Sequence, residues 1–116
     1  MGRRYIAVSI KHTMHGWKFG KPLTLWGWKR TEDNEERCFS GYTEYPAKCE
    51  RYSLGDFQKH GYTFGDIKDD EPVPLSIDLC RKWKNYDTVL LDEEQVIGYY
   101  KCTSLQIEPP KEADNG

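Results

Sequence analysis

Tyr5-Ile6-Ala7-Val8-Ser9-Ile10-Lys11 is the stretch whose reading decides the fold. Ile6, Val8 and Ile10 fall on one side and Tyr5, Ala7 and Ser9 on the other, the period of a strand with one face on a core. Residues 11–21 then form a polar, glycine-containing loop, and Pro22 opens a second run. There Leu23, Leu25 and Gly27 alternate with Thr24, Trp26 and Trp28, which predicts that Trp26 and Trp28 share a strand face. Asp33-Asn34, inside a charged turn at 31–35, favours a hairpin connection. Residues 36–43 supply a third strand, with Cys38, Ser40 and Tyr42 opposite Arg37, Phe39 and Gly41. Three such segments in succession predict an antiparallel meander.

Pro46 ends that pattern. Ser53 followed by Leu54, Gly55 and Asp56 reads as the start of a short helix that fades at Gly61. Residues 61–71 are turn-rich and acidic, a loop. Pro74 suits the first turn of a helix, which runs to about Asn85 with Ile77, Leu79, Cys80 and Trp83 as its apolar face. Residues 87–91 read as a short buried strand, and Asp92 as the cap of a last helix over 93–100 whose acidic first turn the helix dipole favours. The sum is an α+β domain: an antiparallel sheet of three to five strands with two or three short helices packed on one face. One domain spans 1–107, and 108–116, with Pro109-Pro110, is a flexible polar tail.

A chain of 116 residues suits a single domain with a modest core. Hydrophobic residues make up 37% and charged ones 31%, a balance that would suggest disorder were it not for 14% aromatics. Each buried ring removes roughly 150–250 Å2 from water, which offsets the shortage of aliphatic residues. A net charge of -2 and a pI near 5.9 argue against direct nucleic-acid binding. The charge is segregated, however, with basic residues in the first third and Asp66, Asp69, Asp70, Glu71, Asp92, Glu93 and Glu94 later. An acidic surface of that kind suits a basic groove on a partner. Cys38, Cys49, Cys80 and Cys102 form no CxxC pair and read as buried free thiols in a reducing compartment. Met1-Gly2-Arg3-Arg4 leads straight into the first strand, so neither a signal peptide nor a bilayer-spanning run of ~20 apolar residues is expected. These features predict a cytoplasmic protein without membrane attachment.

Residues 12–30 concentrate Trp17, Phe19, Trp26 and Trp28 among Lys18, Lys21, Lys29 and Arg30, with Lys11 just before and His12 and His15 at the entrance. Rings beside cations suit stacking on a base, or anchoring a protein partner through a few hot spots. At least one of Trp26 and Trp28 is expected in the core, and the loop aromatics outside it. His12-Thr13 is close to the His-x-Thr half-signature of two-histidine phosphoesterases, but the two residues are adjacent and His60-Gly61-Tyr62 supplies no second pair. His12 and His15 lack further ligands at zinc spacing. No nucleophile elbow, reactive cysteine context or phosphate-binding glycine loop is present. The chain is therefore expected to use no cofactor, no metal and no catalytic residue. Its expected binding residues are His12, Thr13, Trp17, Phe19, Trp26, Trp28, Lys29 and Arg30, with Asp69 and Asp70 from the acidic loop. A homodimer is compatible with this set.

The succession Ile10-Lys11-His12-Thr13, Leu25-Trp26, Gly41-Tyr42-Thr43 and a later Val73-Pro74 resembles small uncharacterised accessory proteins of bacteriophages and prophages. It covers roughly the first half of the chain and departs from the shorter members by an insertion around 48–70. The resemblance implies an anti-defence role, either inhibiting a host defence protein or sequestering a nucleotide signal. The alternative is a nucleotide-binding or phosphoesterase-like protein in which His12 and Thr13 contact phosphate and a tryptophan stacks on the base.

Overall fold

Strand β1 (Tyr5–Ser9) is internal to its sheet, and the other described strands are arranged around it. The structure is a computed structural model that describes residues 3–13, 15–29, 36–60 and 86–110. Among these, β2 (Leu25–Trp26), β3 (Tyr42–Thr43) and β4 (Thr88–Asp92) complete a four-stranded antiparallel sheet in the order β3-β2-β1-β4. Helical segments are α1 (Ile10–Thr13), α2 (Leu54–His60) and α3 (Glu93–Cys102), with a 3-10 turn at Pro46–Lys48. The α+β class read from the alternation holds, and β1, β2 and β3 are neighbours in chain order, as in a meander.

All five β1 residues are buried, so the expectation of a single core face is corrected. Ile6 and Val8 pack with Leu25, Val89, Leu91 and the α3 residues Val96, Tyr99 and Tyr100. Tyr5 and Ala7 pack on the other side with Trp26, Leu90, Tyr52 and Phe57. Helices α3 and α2 therefore lie on opposite sheet faces instead of sharing one. The physical reason is that β1 is bonded on both edges, and the chain leading into α2 returns alongside it. Tyr5 and Tyr52 exchange backbone hydrogen bonds of 2.9 and 2.8 Å.

The boundaries also differ from the alternation. The strand expected over 5–11 stops at Ser9, whose Oγ accepts from the His12 amide at 3.4 Å and caps α1. The Asp87 carbonyl then takes the amides of Ile10 and Lys11. The strand expected over 36–43 is reduced to its last two residues. Phe39 (φ 51°) and Gly41 (φ 84°) take left-handed backbone, and residues 36–41 form an arch. Its Cys38 and Phe39 amides donate to the buried carboxylate of Glu50 at 3.0 and 3.1 Å.

The two caps expected from the sequence, Ser53 and Asp92, are both present. At α2, Ser53 Oγ accepts from the Asp56 amide at 3.1 Å and Asp56 accepts from the Ser53 amide at 2.8 Å, a reciprocal box. At α3, Asp92 accepts from the Glu94 amide and Gln95 accepts from the Asp92 amide. Consecutive tyrosines on α3 clamp main-chain groups at residues 20–23 and 44. The Tyr99 hydroxyl accepts from Gly20 N and donates to the Lys21 carbonyl, and the Tyr100 hydroxyl accepts from Leu23 N and donates to the Glu44 carbonyl. Burial pushes the Tyr100 hydroxyl well above the ordinary tyrosine range, so it stays a donor.

The expectation of buried thiols holds for Cys49, which burial pushes up to about 11, but Cys102 is exposed and Cys38 half-buried. Among the described residues no helix is long and apolar enough to cross a membrane. The turn at 31–35, the acidic loop at 61–71, the helix from Pro74 with Cys80, and residues 111–116 of the tail lie outside the described residues.

Candidate functional site

Gly27 decides where the tryptophans go. Its φ of 96° breaks the alternation of β2, and the consecutive amides of Gly27 and Trp28 both donate to one neighbouring segment, at Gly41 and Ser40. Trp26 and Trp28 therefore do not share a face as the alternation predicts. Trp26 is buried, its ring 5.4 Å from Phe39 and 5.8 Å from Phe57. Trp28 is 49% exposed.

The two indoles nevertheless border neighbouring grooves that meet at Tyr42. One groove, ≈ 170 Å³, is lined by Ser9, Lys11, His12, Trp26, Tyr42, Asp87 and Thr88. The other, ≈ 360 Å³, is lined by Thr24, Trp28, Tyr42, Thr43, Glu44 and Tyr45. Tyr42 is 48% exposed, on the edge strand of the described sheet, and its ring lies 4.6 Å from that of His12. Ser9 positions the imidazole, with its Oγ 2.8 Å from His12 Nδ1. The hydroxyl donates to Nδ1 or accepts from it according to the imidazole tautomer.

The other sequence-derived candidates are elsewhere. Thr13 is buried, and its hydroxyl accepts from the Thr24 amide at 3.0 Å, so it does not line the groove with His12. Trp17 is half-buried against the α3 side of the sheet and donates through Nε1 to the Lys21 carbonyl. Phe19 is exposed and packs edge-on to Tyr99 at 5.4 Å. Neither Trp17 nor Phe19 lines the grooves at Tyr42. Lys29 is exposed beside Trp28 in the chain. Arg30, Asp69 and Asp70 lie outside the described residues. Among the described residues no three His, Cys, Asp or Glu side chains gather as a metal centre would require.

Tyr42, Ser9, Asp87 and Thr88 are groove residues that sequence reasoning missed. Tyr42 alternates in a strand-like segment, and nothing in its spacing distinguishes an edge position from an internal one. Ser9 carried the only usable signal, as a cap-type residue three before a histidine. No protein-family model, curated protein or solved structure matches this chain.

Proposed function

We propose that the protein is a non-catalytic binding module that docks on a protein partner through Trp28, Tyr42 and His12. The observation that carries this reading is the exposure of Trp28 and Tyr42, each about half, over grooves that share Tyr42. Tryptophan and tyrosine are the side chains most often found as binding hot spots, because they bury a large area with little loss of rotamer freedom. The adjoining Thr24, Thr43 and Glu44 supply polar groups for orientation. The narrower role, a phage-encoded inhibitor of a bacterial defence protein acting in the host cytoplasm, is supported by the sequence resemblance.

The test is affinity capture from bacterial lysate with wild-type protein and with the double variant Trp28→Ala/Tyr42→Ala. A protein enriched by wild type and lost from the variant supports the reading. Equal enrichment by both, or none by either, overturns it.

A nucleotide-binding role at His12 has one observation in its favour, the company of Lys11 and Trp26 in the same groove. The engagement of Thr13 by Thr24 leaves it without the second phosphate contact that reading assigned. Fluorescence quenching by a nucleotide panel, lost in His12→Ala, would prefer it over protein docking.

A further inference from the structure

The larger of the two grooves at Tyr42 has walls whose backbone is already fixed. On one side, the Trp28 amide donates to the Ser40 carbonyl at 2.8 Å, and the following amide, of Lys29, donates to the Lys48 carbonyl at 2.7 Å. Gly41 packs so closely here that an added Cβ would come within 3.1 Å of the Trp28 Cβ. On the other side, Tyr42 and Thr43 pair with Trp26 and Leu25 of β2. The Thr43 hydroxyl accepts the Tyr45 amide at 3.1 Å, and the Glu44 carbonyl accepts the Tyr100 hydroxyl. A site set in advance loses less conformational entropy when a ligand enters.

The side chains of this groove are committed to nothing else. Trp28 and Tyr42 are each about half exposed, Tyr45 is partly exposed and Glu44 is exposed. Among the described residues, the Trp28 indole N–H, the Tyr42 and Tyr45 hydroxyls and the Glu44 carboxylate have no hydrogen-bond or ion-pair partner. Glu44 is the single charged side chain among the groove's lining residues; Lys29 follows Trp28 in the chain but does not line it.

Three aromatic rings and an unpaired carboxylate together select a cation, which ring faces attract and the acid neutralises. A quaternary ammonium has no N–H to give to Glu44 or to the tyrosine hydroxyls. A lysine ammonium is compact and strongly hydrated. A guanidinium is flat, less hydrated and rich in donors, so it can lie on a ring while its edge bonds a carboxylate. The volume of ≈ 360 Å³ is near the lower end of the roughly 300–1,000 Å3 of small-molecule sites, room for one side chain but not for a helix. Arginine is also among the side chains that most often act as hot spots.

We infer that this groove receives an arginine side chain of a protein partner. Its guanidinium lies against the rings of Trp28 and Tyr42 and bonds to the Glu44 carboxylate. The inference rests on the docking surface proposed above and specifies the chemistry of the partner.

Titration of the full chain with a blocked Gly-Ser-Arg-Ser-Gly peptide, followed by 15N NMR of the tryptophan indoles, tests it. The Trp28 resonance, identified by its loss in Trp28→Ala, is expected to move saturably with a dissociation constant on the order of 1 mM. Matched peptides with lysine, trimethyllysine or uncharged citrulline are expected to bind at least about 3-fold more weakly. Glu44→Gln is expected to weaken the arginine peptide about 3- to 10-fold and to leave the citrulline peptide unchanged. Phe19→Ala is expected to change neither. No saturable movement of Trp28 at tens of millimolar peptide, a trimethyllysine or citrulline peptide that binds as well, or unaltered arginine binding in Glu44→Gln overturns the inference.

The docking reading fails separately. Lysate capture lost in Trp28→Ala/Tyr42→Ala, with no binding of the arginine peptide, upholds docking and overturns the arginine assignment. Arginine binding that needs Glu44, with equal capture by wild type and the double variant, overturns docking and upholds the ligand chemistry of the groove.

Discussion

The Tyr52 hydroxyl donates to the Glu50 carboxylate at 3.0 Å, with both residues buried, and the same carboxylate accepts two amides of the arch at 36–41. Burial, followed by the Glu50 charge beside it, pushes the Tyr52 hydroxyl far above the ordinary tyrosine range, which keeps it a donor at any working pH. Glu50→Gln puts an amide NH2 where one oxygen accepted, leaving a buried donor facing a donor. We expect a loss of about 1–3 kcal/mol, read as a lower urea midpoint with an unchanged slope.

Gly27 and Gly16 both have positive φ, 96° and 72°, but their surroundings differ. A Cβ at Gly16 meets nothing, whereas one at Gly27 would overlap the Tyr52 hydroxyl and crowd Glu50. Gly16→Ala is expected to cost only the backbone strain, about 1–2 kcal/mol. Gly27→Ala should cost that plus about 1–3 kcal/mol of overpacking. Thermal unfolding of the two variants side by side checks the order.

Trp26 and Trp28 are two residues apart and should behave as different classes of residue. Trp26→Ala removes a ring packed against Phe39 and Phe57 and is expected to destabilise by about 3–5 kcal/mol. Trp28→Ala, half exposed, should change stability by no more than about 0.5 kcal/mol and act on partner binding alone. Chemical denaturation of both variants, set beside the capture experiment, separates the two effects.

Asp56 lies under opposing influences. Burial alone would raise its carboxyl, but hydrogen bonds from Arg3 and around Ser53 outweigh it and hold the carboxyl below its ordinary 3.8. A lowered folded-state value means the ionised form stabilises the fold above about pH 4, and this contribution is lost as pH falls from 3.8 through the folded value. Wild type should therefore lose stability over that window, and Asp56→Asn should lose less. Urea midpoints measured from pH 6 down to about pH 2.5 give the comparison.

How much of this was legible depends on what set each feature. The alternation of Tyr5 to Ser9, the Ser53 and Asp92 caps and the apolar run Thr88 to Leu91 are local signals, and local physics decided those elements. The arch at 36–41 was not legible, because it depends on Glu50, more than ten residues away, presenting a carboxylate to two amides. An alternating pattern carries no mark of such a distant acceptor. Gly27 was visible as a residue, but its left-handed turn follows from the packing around Tyr52 and the pairing at Gly41. For the candidate site, the aromatic content of residues 12–30 was plain, yet exposure distinguished Trp28 from Trp26 only after the fold was known. Glu44 and Tyr45 were absent from that candidate set because their groove is assembled from separate parts of the chain.

The tyrosine pair on α3 ties the last described helix to the loop that follows α1. Their hydroxyls are stitched to main-chain groups nearly eighty positions earlier, so the aromatic loop owes its shape to the last helix. That loop and α3 therefore belong to one folding unit: cutting the chain ahead of Glu93 would set the Trp17 and Phe19 loop adrift, and anything that tugs on that loop is felt in α3.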